Sequence, residues 1–174
     1  MRISKILFLA LVAVCMSACV RNDDDTPSEE YVHKGDLLPV FVADGPSGTS
    51  YHSADARGKI TIICLFNTTC PDCHRELPKL QYVWQELDGE SFELACIGRE
   101  RTLAEIAEFW EEQGFTMPYY EDPLKTVYGL FATRTIPRIY LTDKAGIVRE
   151  MWVENTDMTR EQLLAIVRGY LETP

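Results

Sequence analysis

Residues 60–78 read Ile60-Thr61-Ile62-Ile63-Cys64-Leu65-Phe66-Asn67-Thr68-Thr69-Cys70-Pro71-Asp72-Cys73-His74-Arg75-Glu76-Leu77-Pro78. The run from Ile60 to Phe66 is apolar and rich in β-branched residues, the pattern of a strand buried on both faces. Asn67, Thr68 and Thr69 break the run. Pro71 suits the first position of a helix, where its missing N–H is no loss. From Cys73 the apolar residues Leu77, Leu80, Trp84 and Leu87 follow at gaps of three and four, which describe one helical face. Pro78 lies inside that helix and predicts a kink. Asp88-Gly89 marks its end. A buried strand therefore feeds a helix whose first turn carries two cysteines.

Outward from this unit the same signals recur. Phe92 to Ile97 reads as a second strand. Thr102 and Glu105 form a capping box, followed by Leu103, Ile106, Ala107 and Trp110 at helical spacing, with Gly114 as the stop. Asp122-Pro123 predicts a shorter helix through Leu130. Arg138–Thr142 and Ile147–Val153 read as strands joined at Asp143-Lys144-Ala145-Gly146, a hairpin signal. Thr159 and Gln162 cap a last helix carrying Leu163, Ile166, Val167, Tyr170 and Leu171. Upstream, Val40–Ala43 and Gly58 suggest a short strand and hairpin. Strands alternating with helices and ending in a hairpin predict an α/β fold: a mixed central sheet with helices on both faces.

The chain has 174 residues, 46% of them hydrophobic and 25% charged, the composition of one globular domain. Its net charge is −10, which argues against a nucleic-acid partner, since that role needs basic patches.

The N-terminus reads as an address. Arg2 and Lys5 precede the apolar run Ile6–Val14, which is too short to span a bilayer. It ends at Met16-Ser17-Ala18-Cys19, small residues before a cysteine as in the lipobox of bacterial lipoproteins, although Met16 stands where Leu is usual. An ordinary secretory signal cleaved nearby is the alternative, and both readings export the protein. The expected organisation is a lipoprotein signal over 1–18, an acidic flexible tether over 19–34 beginning at lipidated Cys19, and one domain over 35–174. The acidic run after Cys19 also resembles a surface-export signal, so the expected location is the cell envelope, periplasmic or at the outer surface.

Six cysteines are present. With Cys15 in the signal and Cys19 lipidated, Cys64, Cys70, Cys73 and Cys96 remain in the domain. Only Cys70 and Cys73 are close in sequence, and in an exported chain such a pair is redox-active or a ligand set. A thiol attacks as its thiolate, and a helix start favours the anion through free N–H groups and the positive end of the dipole. Cys70 sits there and is the expected nucleophile. Cys73, one turn on and facing inward, is placed to resolve the mixed disulfide that Cys70 forms. Asp72 adds negative charge beside the thiolate and pushes the pair towards a reductant; His74, if protonated, opposes it. Cys64 and Cys96 read as small buried strand residues.

The segment Ile62–Pro78 resembles the active-site segment of TlpA/ResA-like thioredoxins. Thr135-Ile136-Pro137 resembles their second landmark, a cis-proline loop facing the cysteines. The resemblance spans about Gly35 to Leu171 and implies a thioredoxin fold with an N-terminal hairpin and a central strand-and-helix insertion around Met117–Leu130. It implies that Pro137 shapes the loop and keeps a metal from bridging the thiols. It implies that the Ile136 backbone pairs with an extended substrate segment, with Thr69, Pro71 and Asp72 around the nucleophile. It makes Glu76 a carboxylate that modulates the thiols. Two departures stand out: Thr69 replaces the usual Trp before the first cysteine, and Cys64 replaces the usual buried Asp, leaving Glu76 as the candidate proton acceptor. The implied activity is thiol–disulfide exchange that reduces disulfides in envelope proteins, with a membrane-embedded thiol transporter as electron donor and neither metal nor cofactor.

Three other readings fit parts of the sequence. Cys70-Pro71-Asp72-Cys73-His74 is literally the C-x-x-C-H haem-attachment motif, but a buried strand leading into it suits no small cytochrome. A peroxiredoxin-like peroxidase would want Pro and Thr where Ile63 and Asn67 stand. A redox-inert binding module would borrow the fold without using the thiols.

Overall fold

The computed structural model describes residues 28–154 and 156–173. The expected signal over 1–18, Cys19 and most of the acidic stretch lie outside the described residues.

Seven strands form one sheet: β1 (Val42–Asp44), β2 (Ser50–His52), β3 (Ile60–Phe66), β4 (Phe92–Arg99), β5 (Tyr119–Asp122), β6 (Arg138–Thr142) and β7 (Val148–Val153), with helices α1 (Pro71–Glu86), α2 (Leu103–Gln113) and α3 (Arg160–Leu171). The strand order is β2-β1-β5-β4-β3-β6-β7. β3, β4 and β5 run parallel, whereas β6, β7 and the β1–β2 hairpin pair antiparallel on either side. β3 lies between β4 and β6, and all seven of its residues are buried. That accounts for its unbroken apolar run: a central strand covered on both faces has no position for a solvated side chain.

Alternation along the strands divides the interior in two. Ile60, Ile62, Cys64 and Phe66 of β3 face one core with Leu94 and Cys96 of β4 and Ile139 and Leu141 of β6. The three α-helices close this side through residues such as Leu77, Leu80, Trp110 and Leu163. Ile63, Leu65, Ala95, Ile97 and Tyr140 face the other core. Short 3-10 turns at Ser53–Ala56 and Tyr128–Leu130, together with Val32, Leu38 and Phe131, cover that side. The fold is a thioredoxin fold, with the expected N-terminal hairpin in place.

Both expected capping boxes form, Thr102 with Glu105 and Thr159 with Gln162, each side chain bonding the other residue's backbone N–H. Gly114 closes α2 in the left-handed conformation, φ 67°. α1 is helical across Pro78. Gly98 lets α2 settle on β4, because a Cβ there would meet Ile106 Cδ1 at 2.5 Å.

Three expectations are corrected. The α-helices, expected on both faces of the sheet, lie on one: β3-α1-β4 and β4-α2-β5 step in the same direction across the sheet, so their right-handed crossovers fall on the same side, and the other face is covered by 3-10 turns and the N-terminal segment. The helix predicted from Asp122 to Leu130 is not one: Asp122 closes β5, and only Tyr128–Leu130 coils, as a 3-10 turn. The buried Asp122 carboxylate instead accepts from Thr126 Oγ1 at 3.0 Å and from the N–H groups of Val127 at 3.2 Å and Tyr128 at 2.8 Å. A side chain that satisfies the backbone in this way competes with a regular helix.

Residues 28–34, placed in the tether by the sequence, pack on the domain. Glu30 forms a β-bridge with Ala132. The Tyr31 N–H donates to Phe131 O at 2.9 Å, the Thr133 N–H donates to Glu29 O at 3.1 Å, and Val32 is 3% exposed. The chain then follows β7, with the Gly35 N–H on Val148 O at 2.8 Å and the Leu38 N–H on Gly146 O at 2.9 Å.

Candidate active site

Asn67 shapes the turn between β3 and α1. Its Oδ1 accepts from the Thr69 N–H and from Thr69 Oγ1, both at 2.9 Å, while its Nδ2 donates to Arg99 O at 2.9 Å. This Asx arrangement fixes the loop that ends in Cys70. The Cys70 N–H bonds Asn67 O at 3.2 Å, and the His74 N–H bonds Cys70 O at 3.2 Å, which opens the helix. Cys70 is thus the N-cap of α1, half-exposed, with Pro71 at the first helical position.

Cys73 lies one turn on and is fully buried, its sulfur accepting from the Asn67 N–H at 3.5 Å. Burial pushes the Cys73 thiol far up, the Asn67 N–H partly opposes this, and the neighbouring thiols of Cys70 and Cys64 raise it further. Both cysteines are free thiols. The pair is asymmetric: one sulfur is reachable, and the other is kept protonated beneath it.

The facing wall is the loop before β6. The Ile136–Pro137 peptide is cis, and Thr135 holds φ 71°. The Cys70 thiol donates to Ile136 O at 3.6 Å. The strands explain the meeting: Leu65 near the end of β3 pairs with Arg138 at the start of β6, so the segments beyond each strand emerge together.

Around this centre the charges are paired. Asp72 forms an ion pair with Arg75, which offsets the negative charge expected to weigh on the thiolate. His74 Nε2 lies 2.6 Å from Thr68 O, and its ring packs on Phe109 at 4.9 Å. Arg101 donates to Thr68 Oγ1 at 2.9 Å and Thr69 Oγ1 at 3.1 Å, tying the segment ahead of α2 to the cysteine loop.

Glu76 is 1% exposed. Its carboxylate accepts from Lys79 Nζ at 2.8 Å, the Thr156 N–H at 3.0 Å and Thr156 Oγ1 at 3.2 Å. These bonds fasten α1 to the segment after β7. Cys64 and Cys96 are register partners on β3 and β4, and Cys96 Sγ lies 3.8 Å from Met117 Sδ. The Cys96 thiol and then burial push the Cys64 thiol well up, in keeping with an inert core residue. Among the described residues no cluster of three or more His, Cys, Asp or Glu could hold a metal ion.

Sequence reasoning placed Cys70, Cys73, Ile136 and Pro137 together, with Thr69, Pro71 and Asp72 on the rim beside Cys70. It missed Asn67, Arg101 and above all Arg138, which is fully buried beside the proline loop. An arginine opening an otherwise apolar strand is the one signal that could have singled out the last.

A mixed sheet, a C-x-x-C at a helix start and a cis-proline loop against it define a thioredoxin-fold protein. More narrowly, the chain belongs to the AhpC/TSA family, whose model matches residues 34–151. Among curated relatives it is similar to the thiol-disulfide oxidoreductase ResA of Bacillus thuringiensis (strain Al Hakam), 23% identical and covering 99% of this chain and 98% of the relative. Among solved structures it is similar to a candidate protein disulfide isomerase from Bacteroides thetaiotaomicron, with TM-score 0.74, 22% identity and coverage of 83% and 91%. It also matches the exposed lipoprotein thioredoxin of Streptococcus pneumoniae strain TIGR4, with TM-score 0.61, 19% identity and coverage of 75% and 99%.

Two outcomes follow from this geometry. Iodoacetamide applied to reduced protein at about pH 8 should alkylate Cys70 and spare Cys73, since a buried, protonated thiol is a poor nucleophile. Peptide mass mapping reads the result, and equal labelling would contradict the asymmetry. Glu76→Ala removes a buried carboxylate that accepts from Lys79 and from both the N–H and hydroxyl of Thr156, while Lys79 keeps Thr156 O at 3.0 Å, so it should lower stability by about 1–3 kcal/mol, the cost of leaving buried donors without their partner. Urea unfolding of the reduced variant measures it, and a loss under 1 kcal/mol would show that the Glu76 network contributes little.

Proposed function

We propose that the protein is a thiol–disulfide oxidoreductase that reduces disulfides in exported proteins by dithiol exchange. One observation carries this reading: half-exposed Cys70 caps α1 with its sulfur 3.6 Å from Ile136 O, and buried Cys73 follows in the first turn of the same helix. The first step is attack of the Cys70 thiolate on a substrate sulfur. The substrate S–S bond breaks, a mixed disulfide forms, and the departing thiolate takes up a proton. Cys73, once deprotonated, attacks the Cys70 sulfur and releases the second substrate thiol. Two electrons pass to the substrate, and the enzyme is left with a Cys70–Cys73 disulfide. Its re-reduction needs a dithiol donor, for which a membrane-embedded thiol transporter is the natural partner in an oxidising envelope. Ile136 offers backbone edge to an extended substrate segment, while Thr69, Pro71 and Asp72 form the rim it approaches.

The structure favours this over peroxidase chemistry. Ile63 points into the core on the opposite face of the sheet from Cys73. Asn67 is committed to Thr69 and Arg99. Neither residue offers the groups that the peroxidase motif supplies before its cysteine.

The reading places the protein in the cell envelope, released from its signal at residue 18 and anchored through lipid on Cys19. Its likeness to an exposed lipoprotein thioredoxin supports this. No helix among the described residues is long and apolar enough to cross a membrane.

Reduced wild-type protein should catalyse insulin reduction, Cys70→Ser should abolish it, and Cys73→Ser should accumulate a mixed disulfide with substrate. Turbidity and non-reducing mass analysis read these results, and a fully active Cys70→Ser would sink the mechanism. Cys19→Ala should move the protein from the membrane fraction to the soluble one. Unchanged partition would count against lipid at that residue.

A further inference from the structure

Arg138 follows the cis-proline directly and is 0% exposed. Its guanidinium Nε donates to Thr135 O at 2.8 Å and Arg134 O at 3.2 Å. Nη2 donates to Arg134 O at 2.7 Å, Ser28 Oγ at 2.8 Å and Glu30 Oε1 at 2.9 Å, and Nη1 bonds Glu30 Oε2. Ser28 Oγ in turn donates to Arg134 O at 3.0 Å, and Tyr128 OH donates to Thr135 O at 3.0 Å. One buried cation thus fixes the two carbonyls that immediately precede Ile136.

Those carbonyls need fixing. Thr135 sits at φ 71°, a left-handed conformation in which the Cβ of a non-glycine residue crowds the following carbonyl. It persists only where its surroundings over-determine it. A buried guanidinium is in turn tolerable only when paired, and the forked geometry of arginine lets it hold a carboxylate and backbone carbonyls at once. Glu30 supplies the pairing, and Glu30 comes from the N-terminal strap bridged to Ala132. Loop and strap therefore depend on each other through Arg138.

We propose that Arg138, neutralised by Glu30, is a positioning residue that presets the Thr135–Ile136 backbone for pairing with an extended, disulfide-bearing polypeptide. Residues 28–30 thereby belong to the substrate-recognition apparatus. The proposal rests on the oxidoreductase reading and adds to it a preference between substrates. A polypeptide must lie along the loop to react, whereas a small disulfide needs only to reach Cys70.

The test compares second-order rate constants of reduced protein with insulin and with 2-hydroxyethyl disulfide, for wild type, Arg138→Met, Glu30→Ala and the double variant. With insulin the constant should fall about tenfold more than with the small disulfide, the scale of one lost charged hydrogen bond. The double variant should lose no more than Arg138→Met alone, because the pair acts as a unit. The Cys70–Cys73 potential should stay in place. Equal losses with both substrates, or an insulin rate unchanged in a folded variant, would overturn the proposal and leave Arg138 a purely structural residue. Should Arg138→Met not fold, Glu30→Ala and Ser28→Ala at the more accessible end of the network carry the same comparison. Wild-type protein inert towards both disulfides would instead defeat the oxidoreductase reading itself.

Discussion

The antiparallel pairing of β3 with β6 is the constraint on which the site depends. With Leu65 opposite Arg138, β3 ends where β6 begins. The cysteine loop and the proline loop therefore leave the sheet at one edge, on neighbouring strands. A slip of one residue would exchange the two faces of either strand, sending Cys64 and Phe66 into the wrong core and parting Cys70 from Ile136. Burial on both faces makes such a slip prohibitive. The precision of the thiol–carbonyl contact is thus a consequence of hydrophobic packing several residues away.

Within that frame the two sulfurs differ for separable reasons. The helix start leaves Cys70 half-exposed, its thiol turned to Ile136 O. The helical period carries Cys73 inward, where loss of water holds its proton. Asn67 joins the two effects: its side chain shapes the turn before Cys70, and its N–H meets the Cys73 sulfur. The segment ahead of α2 reaches the same loop through Arg101, and α2 itself sits close to β4 because residue 98 has no side chain.

How much was legible depended on whether a signal was local. β3, α1 and both capping boxes could be read from periodicity and caps, because each is decided by residues within one or two turns. The cysteine pair and the proline loop could be read through the family they resemble. What escaped was decided at long range. Residues 28–34 look like solvated chain, and their one buried apolar residue, Val32, gives no period. Only the far-off Arg138 turns Glu30 from a tether charge into the partner of a buried cation. The stretch 122–130 carried a plausible helix start, yet its Asp122 satisfied the backbone from its own buried carboxylate. Glu76 was singled out through the family the segment resembles, but its partners Lys79 and Thr156 depend on how α1 meets the segment after β7.

The strap also sets the orientation of the molecule. Ser28, the first described residue, is hydrogen-bonded to Arg134 at the rim of the reactive edge. The last described residue, Thr173, bonds Lys144 at the β6–β7 turn, at the opposite pole of the strands. A surface joined at Ser28 would face the thiols, whereas one joined at Thr173 would leave them turned to the bulk. A fusion partner or affinity handle joined directly ahead of Ser28 would stand in the approach of a bulky client. Immobilisation by the trailing end would leave that approach open.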